Sequence, residues 1–280
     1  MMSALSCIIK QHMKTVALVT YSQSPKLTQD DQLLVEPLEK QGFNVKAVAW
    51  DDKNVDWSQF DIIVLRSCWN YHLRYEQFME WLNAIEKLNV PVWNPVPVIR
   101  WNSDKKYLRE LEYKGIPIIP TVFIEKGEKY NIADIAHHKK WKNLVIKPAI
   151  GASSYHLTRI HQNEYIEKQK IFENLIKQSG VLVQPDISSL PEYEEYSFVF
   201  IGNIFSHAVK KAPKKIVAQA EMGIKKINSS LLYARVDGIV QNDTFLLMEL
   251  ELIEPELYFN LYPIAPMRFV EALQSYCHFI

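Results

Sequence analysis

A single stretch, LLMELELIEPELYFN (residues 246–260), narrows what this chain can fold into. Its leucines, isoleucine and aromatics suit a buried strand, yet it carries Glu249, Glu251, Glu254 and Glu256. Ionised carboxylates are rarely buried without a partner, because desolvating them is costly. The segment LLYARVDGIV (231–240) precedes it, and Gln241, Asn242 and Asp243 between the two mark a hairpin. Side chains alternate across a strand, so Glu249 and Glu251 share one face, as do Arg235 and Asp237. An odd loop count, such as 242–244, sets Asp237 opposite Glu249 and Arg235 opposite Glu251. An even count sends Glu249 to the other face from Asp237. In the first case three carboxylates converge, and like charges opposed on a sheet are destabilising. Arg235 offsets one of them, and a hard divalent cation such as Mg²⁺ offsets the rest. The bland alternative is a solvated acidic face.

Elsewhere the pattern alternates. TVALVTY (15–21), NVKAVAW (44–50) and DIIVLR (61–66) read as strands, the first and last as buried parallel ones. A helix from Thr28 to Gly42 is expected to kink at Pro37, and residues 74–89 carry apolar side chains at helical spacing. Residues 15–98 therefore form a small doubly wound α/β unit, with the proline-rich NPVPV (94–98) as its boundary. Beyond it, a helix over 103–115 capped by Ser103 leads to strands at 121–124, 143–148, near 155–160 and 181–185. Helices near 131–138 and 163–178 lie between them. EYSFVFIGNIFSHAVKK (195–211) turns at Gly202-Asn203, a hairpin signature, and an apolar helix closes the chain near 267–279.

Lys and Arg total 32 and so do Asp and Glu, so charge offers no footprint for nucleic acid or an anionic membrane. Cys7, Cys68 and Cys277 lack metal-type spacing and read as free thiols of a cytoplasmic protein. No apolar run nears the ~20 residues of a membrane span, and the first fourteen residues do not read as a signal peptide.

If a metal–phosphate complex sits at the acidic hairpin, cations should face it. Lys147 ends the apolar strand NLVIKP and precedes a loop with Gly151, Ser153 and Ser154, whose backbone N–H groups could cradle an anion. The Walker A pattern is absent. Lys105, Lys210 and Lys211 also read as ordinary surface charges. Arg66 ends a long strand at the carboxyl edge, where α/β units bind ligands; with Trp69 and Tyr71 it could hold a substrate carboxylate. Packing at the domain junction explains the two aromatics equally well. Glu254 could meet a substrate ammonium, and Glu256 reads as a solvated turn residue. His156 and His207 read as structural.

Taken in order, VLRSCWNYH (64–72), NPVPVIRWNSDKKYLRELEYKGIPIIPT (94–121), VIKPAIGASS (145–154), VLVQPDI (181–187), HAVKKAP (207–213) and the acidic hairpin resemble the ATP-grasp superfamily. The resemblance is to the branch of glutathione synthetases, ribosomal-protein glutamate ligases and O-ureido-serine cyclo-ligases, and runs from about Thr15 to the C-terminus. It implies ATP held between two antiparallel sheets. An N-terminal domain would cover 14–98, a nucleotide-binding subdomain 99–185, and a C-terminal subdomain with the metal-binding hairpin 186–280. Lys105 and Lys147 would meet the α/β-phosphates, and Gly151, Ser153 and Ser154 would close over them. Gln184, Asp186 and Ile187 would line the adenine hinge. Glu195 would reach the ribose, with Glu192 and Glu194 as neighbours able to replace it. Lys211 would sit on the terminal phosphate, Arg235 on the phosphoryl intermediate, and Asp237, Glu249 and Glu251 on Mg²⁺, or Mn²⁺ in its place.

Two features depart from the family pattern. The segment between Pro213 and Leu231 is short and lacks a basic or Gly-rich loop, and residues 1–13 have no counterpart. The implied activity is ligation of a carboxylate to an amine on a small amino-acid-like substrate, giving an amide or cyclic amide through an acyl phosphate. A homodimer is a candidate assembly. A module that binds nucleotide without turning it over is the alternative, and three candidate metal carboxylates are more than binding needs.

Overall fold

A computed structural model describes residues 13–152, 155–188 and 194–277. Strands β1 (Thr15–Thr20), β2 (Asn44–Ala49), β3 (Ile62–Leu65) and β4 (Val92–Trp93) form a parallel sheet in the order β2-β1-β3-β4. The apolar run of β1 explains its place: Val16 to Val19 are fully buried, as expected of a strand covered on both faces. Where one kinked helix is expected, two short ones form, α1 (Gln29–Gln32) and α2 (Val35–Lys40). The break at Leu33–Leu34 lies one turn before Pro37, which has no N–H to bond back there. Thr28 caps α1 by accepting from the Asp31 amide at 3.0 Å. Helix α3 (Tyr75–Glu86) buries Phe78, Trp81, Leu82 and Ile85.

The proline-rich boundary is itself helical. α4 (Val96–Asn102) begins directly after Pro95, and Pro97 falls in its first turn, where a missing N–H is harmless. Ser103 ends α4 instead of capping the next helix; its hydroxyl donates to the Arg100 carbonyl at 2.7 Å. The helix expected over 103–115 is α5 (Tyr107–Tyr113). Then follow β5 (Val122–Ile124), α6 (Ile132–Lys139), β6 (Leu144–Pro148), β7 (Thr158–Ile160), α7 (Tyr165–Gln178) and β8 (Val181–Pro185). Their four strands make an antiparallel sheet, β5-β8-β6-β7.

A second antiparallel sheet, β10-β9-β11-β12, comes from β9 (Glu195–Ile201), β10 (Ile204–Ala208), β11 (Tyr233–Gln241) and β12 (Thr244–Glu251). Both of its hairpin turns use two residues at positive φ, Gly202-Asn203 and Asn242-Asp243, as a twisted two-residue turn requires. The stretch between Pro213 and Leu231, short and without a basic or Gly-rich loop, contains helix α8 (Lys214–Lys225), whose buried Ile216, Ala220 and Ile224 recur every four residues. Helix α9 (Ala265–Cys277) packs Phe269, Val270 and Leu273 into a core shared with β1, β3, β9 and Tyr233. No helix among the described residues is long and apolar enough to cross a membrane.

Candidate active site

The β11–β12 register decides where the acids go. The even, two-residue turn pairs Gln241 with Thr244 and Gly238 with Leu247. Continued unchanged, that register would put Asp237 opposite Met248. A bulge at this point inserts one residue, so Asp237 pairs with Glu249 and Arg235 with Glu251. The loop is thus even, and the convergence expected from an odd loop arises from the bulge. At Gly238 the neighbouring strand leaves no room for a side chain: a Cβ there would fall 2.4 Å from the Leu246 carbonyl oxygen and from the Phe245 ring.

A cavity of about 460 Å³ opens against this face, walled by residues of both antiparallel sheets. Asp237, Glu249, Glu251 and Arg235 line one side. Lys147 reaches it from the end of β6, and Lys105 from the turn between α4 and α5. Lys105 is nearly buried. Its Nζ lies 2.8 Å from Glu249 Oε1 and 2.5 Å from the Gly151 carbonyl. Arg235 is bound on three sides: Nε to Asp237 at 3.0 Å, one terminal nitrogen to Glu251, the other to the Glu256 carbonyl at 3.1 Å.

These contacts shape the ionisation. Burial works against the Arg235 charge, but Glu251 and Asp237 outweigh it and hold its pKa above the usual value. Burial also lifts Glu251 well above the carboxylate range and Asp237 above its own, against the pull of Arg235. Glu249 goes the other way: the cations of Lys105 and Lys147 overcome burial and hold it low. Burial lowers Lys147, opposed by Glu249. Glu254, also on the cavity wall, is pushed up to about 8 by burial, with Lys105 opposing and Glu249 adding. The donors are of the kind a hard divalent cation takes, three carboxylates on one wall of the cavity. Among the described residues, though, no three acidic, histidine or cysteine side chains are drawn together closely enough to hold an ion; Lys105 pairs with Glu249, and Arg235 with Asp237 and Glu251.

Other expected residues are distributed unevenly. Gly151, Glu195, Trp69, Tyr71 and Glu254 line the cavity, and so does Glu256, read as a solvated turn residue. Ser153 and Ser154 lie outside the described residues. Gln184 is buried in β8 and donates to the Thr121 hydroxyl at 2.9 Å, while Asp186 and Ile187 follow that strand; none of the three is in the cavity wall. Lys211 is exposed on the connection from β10 to α8 and does not line it either. Arg66 is displaced from the expected role. It is almost wholly buried, 2.8 Å from Asp31, 4.7 Å from the Tyr233 ring centre, and donates to the Pro255 carbonyl at 2.9 Å. Asn102 and Tyr107, given no role from sequence, hold the free edge of β12: both donate to the Leu250 carbonyl, at 2.8 and 3.0 Å. Their place in the motif WNSDKKY was visible, but their partner 143 or more residues away was not.

Comparison with known proteins places the fold among solved relatives. Residues 16–94 match a family model described as the N-terminal domain of D-cycloserine synthetase DcsG. The chain is 26% identical over 295 residues to the cycloserine biosynthesis protein DcsG of Streptomyces lavendulae, covering 93% of this chain and 98% of that one. The crystal structure of D-cycloserine synthetase DcsG superposes with a TM-score of 0.86 at 25% identity, over 93% of this chain and 99% of that chain. This chain has the ATP-grasp fold. An ATP-grasp RimK domain protein from Sphaerobacter thermophilus shares the ligase fold at a TM-score of 0.71 and 16% identity, over 93% and 99% of the two chains. D-alanine–D-alanine ligase from Bacillus anthracis shares it at 0.68 and 15%, over 94% and 96%.

Proposed function

We propose that this ligase activates a carboxylate of a small amino-acid-like substrate with ATP and closes an amide or cyclic amide with a nitrogen nucleophile. The carboxylate oxygen takes the terminal phosphoryl group, giving an acyl phosphate and ADP. The nitrogen then attacks the carbonyl carbon, inorganic phosphate leaves, and the nitrogen gives up its proton. Such transfer needs positioning and charge neutralisation more than a covalent contribution from the protein.

The observation that carries the reading is the face-to-face arrangement of Lys105 and Lys147 with Arg235, Asp237, Glu249 and Glu251 around one cavity. Lys105 and Lys147 bind the inner phosphates, Gly151 lies beside them, and Glu195 at the start of β9 meets the ribose. Gln184, Asp186 and Ile187 form the adenine hinge. Arg235 holds the acyl phosphate. Asp237, Glu249 and Glu251 are the residues that would hold Mg²⁺, or Mn²⁺ in its place. A divalent cation there would offset the charge of the phosphate oxygens. Trp69, Tyr71 and Glu254 form the substrate end. Each of the proposed units 14–98, 99–185 and 186–280 contains one of the three sheets, and the cytoplasm is the proposed compartment.

The test is incubation with ATP, Mg²⁺ and a pool of small amino acids, following ADP and phosphate. Release that depends on the pool supports the reading; release indifferent to it rejects it.

A further inference from the structure

Between the end of β12 and Tyr258 the chain has no regular structure, yet its backbone is held throughout. Six consecutive carbonyls each accept a hydrogen bond from a different side chain. Asn94 donates to Leu252 at 2.8 Å, the Tyr233 hydroxyl to Ile253 at 2.9 Å, and Trp69 Nε1 to Glu254 at 3.2 Å. Arg66 donates to Pro255 at 2.9 Å, Arg235 to Glu256 at 3.1 Å, and His207 Nε2 to Leu257 at 2.9 Å. Irregular backbone is usually the mobile part of a fold. Six donors from four separate parts of the chain prevent that here, and what they fix is the direction of the side chains between them.

Glu254 is the one that matters. Its carboxyl lines the cavity, and among the described residues no side chain forms a hydrogen bond or ion pair with it. The nearby cations are committed elsewhere, Lys105 to Glu249 and Arg235 to Asp237 and Glu251. The wall around it is aromatic and acidic, with Trp69, Tyr71 and Glu256. A carboxylate on a substrate would be repelled there. An arriving ammonium would favour the ionised form of Glu254, which burial otherwise disfavours, and would find ring faces in the two aromatics.

We propose that Glu254 receives an ammonium group of the substrate, and that Trp69 and Arg66 are positioning residues that hold Glu254 in place through the carbonyls of residues 254 and 255. This rests on the ligase reading and names a feature its substrate must have. It also gives Arg66 a function its burial allows, since a side chain that does not line the cavity can still set the aim of one that does.

The experiment measures ADP release with small α-amino acids and, in parallel, with the matching 2-hydroxy acids. The wild-type protein is expected to respond to an amino acid and not to its hydroxy counterpart. Trp69→Phe keeps a ring and loses the donor. It should raise the KM for the amino acid about tenfold, the loss of one hydrogen bond, and leave the KM for ATP within about twofold. Glu254→Gln should raise it on the order of a hundredfold. The double variant should be no worse than Glu254→Gln alone, because Trp69 acts through Glu254. Additive losses, or an equal loss in the KM for ATP, overturn the positioning role. Hydroxy acids that serve as well as amino acids overturn ammonium recognition while leaving the ligase reading intact. Wild-type protein that responds to neither overturns both.

Discussion

Lys105 and Glu249 form an ion pair of 2.8 Å across the cavity, joining the turn after α4 to the acidic strand β12. One partner is the proposed phosphate ligand and the other a proposed metal ligand. Because each neutralises the other, binding of nucleotide and cation should be coupled.

Lys105 and Lys106 are adjacent and point different ways. Lys105 enters the cavity, whereas Lys106 pairs with Glu125 on the outside at 2.5 Å. Lys105→Ala should weaken ATP binding by about tenfold or more, the scale of one charge-assisted hydrogen bond. Lys106→Ala should change it by less than twofold. Calorimetric titration of both variants checks this, and equal effects would contradict the placement of Lys105.

Glu251→Gln keeps the shape of the side chain and removes a charge from the group around Arg235. Charge develops on the transferring oxygens in the transition state, so turnover should fall on the order of a hundredfold or more while nucleotide affinity falls far less. Single-turnover ADP formation compared with equilibrium binding separates the two. Equal losses would mean that the hairpin only binds.

Gly238 cannot carry a side chain where β11 passes β12, since a Cβ would lie 2.4 Å from backbone and ring atoms. Gly238→Ala should destabilise the protein by about 1–3 kcal/mol, the range for overpacking. Because the bulge beside it aligns Asp237 with Glu249, activity should fall further than the folded fraction explains. Urea unfolding and activity measured on the same sample check both.

Histidine 72 is kept neutral. Burial, with Lys105 next, lowers its pKa to about 4, and its buried Nδ1 has no hydrogen-bond partner among the described residues. An unfolded histidine titrates near 6.5. A group depressed on folding contributes stability that is present above the unfolded pKa and lost as pH falls toward the folded one. Tm should therefore drop between about pH 6.5 and 4, and His72→Asn should flatten that drop relative to the wild type. Parallel Tm curves would contradict it.

The sequence carries the alternation of strands and helices, because it lies in local spacing. It also marks the acids of the hairpin and both lysines of the opposite wall. It does not carry the bulge at Met248, which depends on how two strands meet and leaves no local pattern. Helix α8 was legible in principle: Ile216, Ala220 and Ile224 have helical spacing, but the basic residues around them mask it. Arg66 shows the other kind of miss. A strand-end arginine suits a ligand by its position, and only the fold reveals that Asp31 and the Pro255 carbonyl occupy it.

The central claim is that ATP activates a carboxylate through an acyl phosphate, and the origin of the phosphate oxygens tests it most directly. The amino-acid pool is labelled with ¹⁸O in its carboxylates, turned over with ATP and Mg²⁺, and the released phosphate is weighed by mass spectrometry. The account predicts that released phosphate carries one labelled oxygen taken from the substrate. Phosphate without label, released at the same rate, would contradict it.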